Sequence, residues 1–509
     1  MSTTTSSGTR RISIDPVTRL EGHGKIDIFL DADGEVADCF FQVPELRGFE
    51  RFCEGRPVEE LPRITPRICG VCPEAHLMAS AKACDEVYGI ELPPTARMLR
   101  ELQYCLFYVT DHATHFYALG GPDFVMGPES DPATRNLIGV IGKVGLEVAG
   151  KVIRCRQWGH EAAAIFGGRP VNPINAIPGG MSKPLSAEER TRLDEIACYM
   201  VEFSEFTLQL LHDVVLANSA YVDLILNGPY RHATYSMGLV DAKNRTNFYD
   251  GEVRVVDPEG RELVKYPPRD YLQHVAERVE PWTYLKFPYL KAVGWKGFVD
   301  GVESGVYRAT PQSRLNVADA MSTPKAQAAY EEYFEVLTGD RSGKRPVHNT
   351  LAIHWARVVE MVNAAERALE LVRDPEITNP EKYRALPTRT PSEGVGCVEA
   401  PRGTLTHHYI TDEKGIVRKA NLIVGTTNNH AAISMSIKQA AQGLIHKGVE
   451  VTEGLLNKIE MAFRAYDPCY GCATHSLPGQ MPMSVRIHAA DGTVLAEGRR
   501  AARGSDHNG

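Results

Sequence analysis

Four of the eleven cysteines stand in two C-x-x-C pairs, Cys69–Cys72 and Cys469–Cys472, near opposite ends of the 509-residue chain. Two thiolates on one such loop can grip a single metal, and soft sulfur donors select zinc, iron–sulfur clusters or other transition metals. A zinc ribbon brings its second pair within a few tens of residues of the first. A structural zinc also serves mainly to nucleate small folds that are unstable without it. Pairs this far apart suggest a site at the heart of one domain, clamped between distant segments. Spacing alone leaves structural zinc and an iron–sulfur cluster open.

The other seven cysteines, Cys39, Cys53, Cys84, Cys105, Cys155, Cys198 and Cys397, are scattered singly without ferredoxin-like spacing. They are expected to be buried, inert, small apolar side chains. A net charge of -8 and a pI of about 6.1 argue against nucleic-acid binding and against a polybasic membrane surface. No window approaches the ~18 uninterrupted apolar residues of a membrane span. The polar start, MSTTTSSGTRR, lacks the apolar segment of a secretory signal. A cytoplasmic location is the expectation.

The elements that must position the cysteines read as mainly α, an α+β chain with a large helical bundle core and small peripheral β-hairpins and sheets. Helices are expected over 96–119, 134–166, 186–226, 347–373 and 452–466, the third opened by Ser186 with Glu188 and Glu189 in its first turn. Hairpins are expected over 25–43 and 252–266, and a β pair over 405–424 turning at Asp412–Gly415. The Pro/Gly-rich stretches 167–184 and 386–403 read as ordered loops, and about 1–10 and 499–509 as disordered ends. One domain over 1–475 is followed by an extension, 476–509, that reads as a small hairpin turning at Asp491-Gly492.

The residues around the cysteines narrow the chemistry. Arg-Ile-Cys-Gly-Val-Cys-Pro-Glu-Ala-His (67–76) and Asp-Pro-Cys-Tyr-Gly-Cys-Ala-Thr-His (467–475) are joined by Thr-Arg-Leu-Glu-Gly-His (18–23), Arg-Gly-Phe-Glu (47–50), His-Phe-Tyr-Ala-Leu-Gly-Gly-Pro-Asp (115–123) and Glu-Ala-Pro-Arg-Gly-Thr-Leu (399–405). In this order, over nearly the whole length, the chain resembles the large, catalytic subunit of the nickel–iron hydrogenases. The resemblance implies heterolytic cleavage of dihydrogen at a thiolate-bound Ni–Fe centre whose iron carries carbon monoxide and cyanide. It makes Cys69 and Cys469 terminal nickel ligands, and Cys72 and Cys472 bridges to iron. It implies that His76 donates a hydrogen bond to a bridging sulfur. It puts Arg402, after Pro401, over the open metal face, with Asp123 holding its fork, and Thr426 against a cyanide. Here Gly425 and Asn428 stand where many relatives have proline and tryptophan.

Glu21 would be the first proton relay, taking the proton from the Cys469 sulfur. Glu50 and His475 would hold a second ion, magnesium or iron. Electrons would leave through a separate small subunit with iron–sulfur clusters, which His112 and His115 could face, core packing being the equal alternative. The motifs around Pro44–Arg47 and Thr404–His408 look like the cytoplasmic group, with NAD-linked or heterodisulfide-reductase-linked partners. A maturation endopeptidase would cut after His475. Two other readings compete. One is an electron-transfer scaffold like the quinone-site subunit of complex I, a relative that has lost the cysteine pairs; the other is a zinc-stabilised interaction module.

Overall fold

The computed structural model describes residues 5–6, 9–15, 17–43, 48–473, 483–488 and 494–500, with side chains between 12 and 471 except 16 and 44–47. The Ile353–Arg373 helix runs through the core and packs against Pro94–Thr114 on one side and Ala187–Leu211 on the other. The Leu146–Gly167 helix covers the last two. Ala187–Leu211 starts where expected because Ser186 and Glu189 cap one another reciprocally, satisfying two otherwise orphaned backbone donors.

Several expectations need correction. The helix expected over 134–166 is two, Leu137–Val144 and Leu146–Gly167, broken at Gly145, whose φ of 88° no helix allows. The forty-residue helix from Ser186 ends at Leu211, passes through a π-turn over His212–Leu216 and restarts as Ser219–Asn227 behind the Asn218 cap. The Pro73–Val87, Pro324–Thr338 and His430–Leu444 helices lie outside the segments expected to be helical. Strands occupy Thr5–Ser6, Thr9–Ile14 and Val494–Arg500, so the described parts of both ends are paired.

The loop expected over 386–403 contains a strand, Glu393–Ala400, antiparallel to Gly403–Thr411, which pairs in turn with Val417–Ile423. This sheet is not peripheral. Its first two strands are almost wholly buried and lie directly under the Pro73–Val87 helix. Gly394 and Gly396 make that approach feasible, because a Cβ at either would lie 2.3 and 1.9 Å from the helix carbonyls of Ala83 and Ala79. The register Ala400↔Gly403 leaves Pro401 and Arg402 as the two-residue tip of a buried hairpin.

Candidate metal centre

The first cysteine pair sits where a 3-10 turn, Thr65–Ile68, meets the Pro73–Val87 helix. Cys69 is extended, and Cys72 is the N-cap residue, followed by Pro73 at the position where a missing N–H costs nothing. The backbone N–H groups of Val71 and Cys72 both donate to Cys69 Sγ at 3.2 Å, so the loop wraps the sulfur. The second pair follows the Glu453–Arg464 helix. The chain turns at Asp467, in the left-handed region at φ 55°, and delivers Cys469 beside Glu21. Arg19, at φ 56°, is a second non-glycine residue held in that region next to the site.

The pairs converge. Cys69 Sγ lies 3.3 Å from Cys469 Sγ, and the sulfurs of Cys69, Cys72 and Cys469, all buried, lie within 4.8 Å of one another. Three sulfurs at that spacing from two distant segments fit one soft metal centre. The side chain of Cys472, all of His475 and the Pro44–Arg47 motif lie outside the described residues. Of the seven scattered cysteines, six are buried and Cys198 is partly exposed; burial pushes the Cys39, Cys53 and Cys397 thiols up to about 12.

Glu21 touches the cysteine it was expected to serve. The Cys469 thiol donates to Glu21 Oε2 at 3.0 Å, and Gly471 N–H donates to the same oxygen at 2.8 Å. Glu21 also pairs with the Cys469 loop through its backbone. Thr426 Oγ1 accepts the Cys469 N–H at 3.1 Å and so borders the site. His76 is fully buried one helical turn after Cys72.

Arg402 is buried beside the cysteines, but Asp123 is not its partner. Its NH1 donates to Asp111 at 3.1 Å, and its NH2 pairs with Asp467 at 2.9 Å. Burial works against the guanidinium charge, yet Asp111, Asp467 and the Cys72 and Cys469 sulfurs outweigh it and hold Arg402 protonated. Burial pushes Asp467 up to about 7 against the pull of Arg402 and Arg357. Asp111 moves in the same direction for the same reason. The hairpin tip itself is pinned. Asn429 Nδ2 donates to the Arg402 carbonyl at 2.7 Å, and Arg314 NH2 donates to the Pro401 carbonyl at 3.0 Å.

Asp123 holds a different fork. It pairs with Arg19 at 2.5 Å and Arg464 at 2.7 Å and accepts from Asn457 at 3.1 Å. It therefore clamps the segment carrying Glu21 to the helix that leads into Cys469. The reason lies in the helix: beyond Thr114 the backbone loosens into a π-turn, His115–Gly120, and Asp123 emerges past it, whereas Asp111 lies before it. Burial opposes the Asp123 charge, but Arg464 and Arg19 prevail and depress its pKa below the ordinary carboxylate value. The clamp's contribution to stability is thus present above pH ~4 and is lost as pH falls through that depressed value. Asp123→Ala should destabilise the chain by about 3–5 kcal/mol, as expected when one partner of a buried pair is removed. Denaturant midpoints of wild type and variant should converge as the buffer is acidified below pH ~4. A pH-independent gap would remove the clamp.

His112 and His115 follow the core-packing alternative. His112 Nε2 lies 3.0 Å from Glu360 and His115 Nε2 lies 2.9 Å from the Arg464 carbonyl, both inside the core. Glu50, on the Phe49–Cys53 turn, accepts the Leu422 N–H at 2.9 Å. Three acids given no role from the sequence also border the site: Asp111, Asp467 and Glu74, the last pushed up to about 8 by burial, with Asp111 and Cys69 adding to the effect. Asp111 carries one signal in the sequence: it is the lone carboxylate between residues 102 and 122.

Comparison with known proteins gives a consistent picture. The family profile described as nickel-dependent hydrogenase matches residues 47–133 and 151–475. A subunit of an F420-non-reducing hydrogenase from Archaeoglobus profundus is 49% identical over 96% of this chain and 99% of its own. The beta subunit of the NAD-reducing hydrogenase HoxS from Cupriavidus necator is 37% identical over 96% of this chain and 100% of its own. A solved NAD+-reducing nickel–iron hydrogenase in the H2-reduced state superposes with a TM-score of 0.84 at 38% identity, covering 92% of this chain and 100% of that one.

Proposed function

Because the chain belongs to the nickel-dependent hydrogenase family as a large, catalytic subunit, we propose that Cys69, Cys72, Cys469 and Cys472 hold its Ni–Fe centre, with carbon monoxide and cyanide on the iron. The observation that carries this is the convergence of the Cys69, Cys72 and Cys469 sulfurs on one buried point. When bound, the centre supplies the redox chemistry, taking up the two electrons of dihydrogen and passing them on. The residues of the chain handle the proton and the charge. The Cys469 sulfur is the first proton holder, and Glu21 Oε2, 3.0 Å away, receives the proton from it. Arg402, fixed by Asp111 and Asp467, presents a positive, planar face to the charge that separates as dihydrogen is cleaved. Thr426, which accepts from the Cys469 backbone, and Pro401 would lie against the iron's diatomic ligands. Infrared spectroscopy of the purified complex should show carbonyl and cyanide stretching bands, and their absence would refute this assignment.

Glu50 is proposed, with His475, to hold a magnesium or iron ion. The Leu422 N–H on one carboxylate oxygen fixes its orientation for that task. We further infer a small subunit carrying iron–sulfur clusters, and NAD-linked or heterodisulfide-reductase-linked subunits beyond it; that relatives are named as subunits, one of them of an NAD-reducing enzyme, supports a multisubunit assembly and the NAD link. Among the described residues no helix is long and apolar enough to cross a membrane; we propose work in the cytoplasm.

The family match ends at residue 475, which supports removal of 476–509 by an endopeptidase after metal insertion. In the extension Met483–His488 and Val494–Arg500 form the expected hairpin. Intact-mass measurement of active enzyme should give a chain ending at His475. A fully active species retaining Ser476 to Gly509 would rule out obligatory cleavage.

A further inference from the structure

Behind His76 lies a line of buried side chains that the proposed reaction does not use. His76 Nδ1 is 3.1 Å from His407 Nε2, His407 Nδ1 is 2.7 Å from the Tyr409 hydroxyl, and that hydroxyl is 2.9 Å from Ser80 Oγ. All four side chains are at most 1% exposed. His76 and Ser80 lie one turn apart on the Pro73–Val87 helix, and His407 and Tyr409 share one face of the Gly403–Thr411 strand. The line thus runs parallel to the helix, away from Cys72.

Each link needs one hydrogen, and a neutral imidazole has one donor and one acceptor nitrogen. Among the described residues, the bond to Tyr409 is the one hydrogen bond made by Ser80 Oγ, so the Ser80 hydrogen points to Tyr409. The Tyr409 oxygen is then an acceptor on that side, where the Thr65 hydroxyl also hydrogen-bonds it, and its own hydrogen goes to His407 Nδ1. His407 must carry its proton on Nε2 and donate to His76 Nδ1. His76 is left with its proton on Nε2, the nitrogen on the opposite edge of the ring. Helical side chains lean back over the preceding turn, here the one that begins at Cys72.

We propose that Tyr409, through His407, is a positioning residue that fixes His76 in the Nε2–H tautomer, so that His76 donates to a cysteine sulfur of the centre rather than presenting a lone pair to it. This rests on the reading of the Ni–Fe centre and of His76 given above. A donated hydrogen bond withdraws electron density from a thiolate and so from the metals it ligates. Without the Tyr409 hydroxyl, His407 is free to take its proton on Nδ1 and accept from His76, which turns the donor edge of His76 into an acceptor.

The test is infrared spectroscopy of the holo complex carrying Tyr409→Phe, Ser80→Ala, His76→Gln and the Tyr409→Phe/His76→Gln pair, each with its nickel content measured. Tyr409→Phe should keep nickel and shift the carbonyl band to lower frequency, because a more electron-rich iron donates more into the carbonyl. Ser80→Ala should shift it the same way and by less. Adding Tyr409→Phe to His76→Gln should give no further shift. If His76→Gln moves the bands while Tyr409→Phe and Ser80→Ala, both loaded with nickel, leave them in place, the tautomer assignment is overturned and the His76 reading stands. If His76→Gln itself moves nothing, the His76 reading falls with it. Should Tyr409→Phe fail to load nickel, Ser80→Ala decides alone: a shift supports the assignment and an unchanged band overturns it.

Discussion

Glu21→Gln should lower hydrogen turnover by about 10²- to 10⁴-fold, the range that a positioned acid–base group contributes, while nickel stays bound. The substitution is nearly isosteric. A glutamine oxygen can still accept the Gly471 N–H and the Cys469 thiol, as Glu21 Oε2 does. The backbone pairing that joins residue 21 to the Cys469 loop does not depend on the side chain. What glutamine cannot do is take up the thiol proton and release it onward. Metal content should therefore match wild type, and the defect should appear in turnover alone. Unchanged uptake rates, assayed with an artificial acceptor, would eliminate the relay. Lost nickel would mean that Glu21 is chiefly a brace for the loop.

Arg402→Lys should also be severe, on the order of 10²-fold, comparable to deleting one preorganised donor from an active site. Charge is retained, so a purely electrostatic role would survive the change. The geometry argues that it does not. Arg402 uses two separate nitrogens to bridge Asp111 on one helix and Asp467 in the cysteine loop. A lysine ammonium offers one nitrogen and no plane. It would take the guanidinium from one of the two buried carboxylates: Asp111 would lose its ion-pair partner, or Asp467, already pushed up to about 7 by burial, would keep only Arg357 at 3.4 Å. The protein should nevertheless stay folded, since the hairpin tip is tied down by Asn429 and Arg314 through backbone carbonyls. An Arg402→Lys enzyme with wild-type rates would remove the guanidinium from the chemistry.

The cysteine pairs stand out in the chain because holding a metal needs thiols at C-x-x-C spacing, whereas Glu21 and Arg402 are singled out only by the resemblance that the motifs around them carry. The start of the Ala187–Leu211 helix is legible for a similar reason: Ser186 and Glu189 are a local signal, complete within four residues. The Pro73–Val87 helix is not, since nearly every side chain on it is buried and the alternation of apolar and polar faces disappears. The Glu393–Ala400 strand looks like a loop because its glycines answer to the helix backbone above them and not to strand propensity. The break at Gly145 is hidden because a lone glycine within a helical pattern is usually tolerated. Which acid meets Arg402 is the most instructive case. Asp111, Asp123 and Asp467 are all buried acids, and only the last two lie within the quoted motifs. Only the folded chain, with its π-turn between the first two, decides that Asp111 and Asp467 reach the guanidinium while Asp123 goes to Arg19 and Arg464.

That both cysteine pairs grip one nickel-containing centre is tested most directly by X-ray absorption at the nickel edge of the purified complex. Nickel is expected in the active chain, with a first shell of sulfur donors at ~2.3 Å that loses sulfur when Cys469 is replaced by serine. Nickel in a shell of nitrogen and oxygen alone, or zinc in its place, would contradict it.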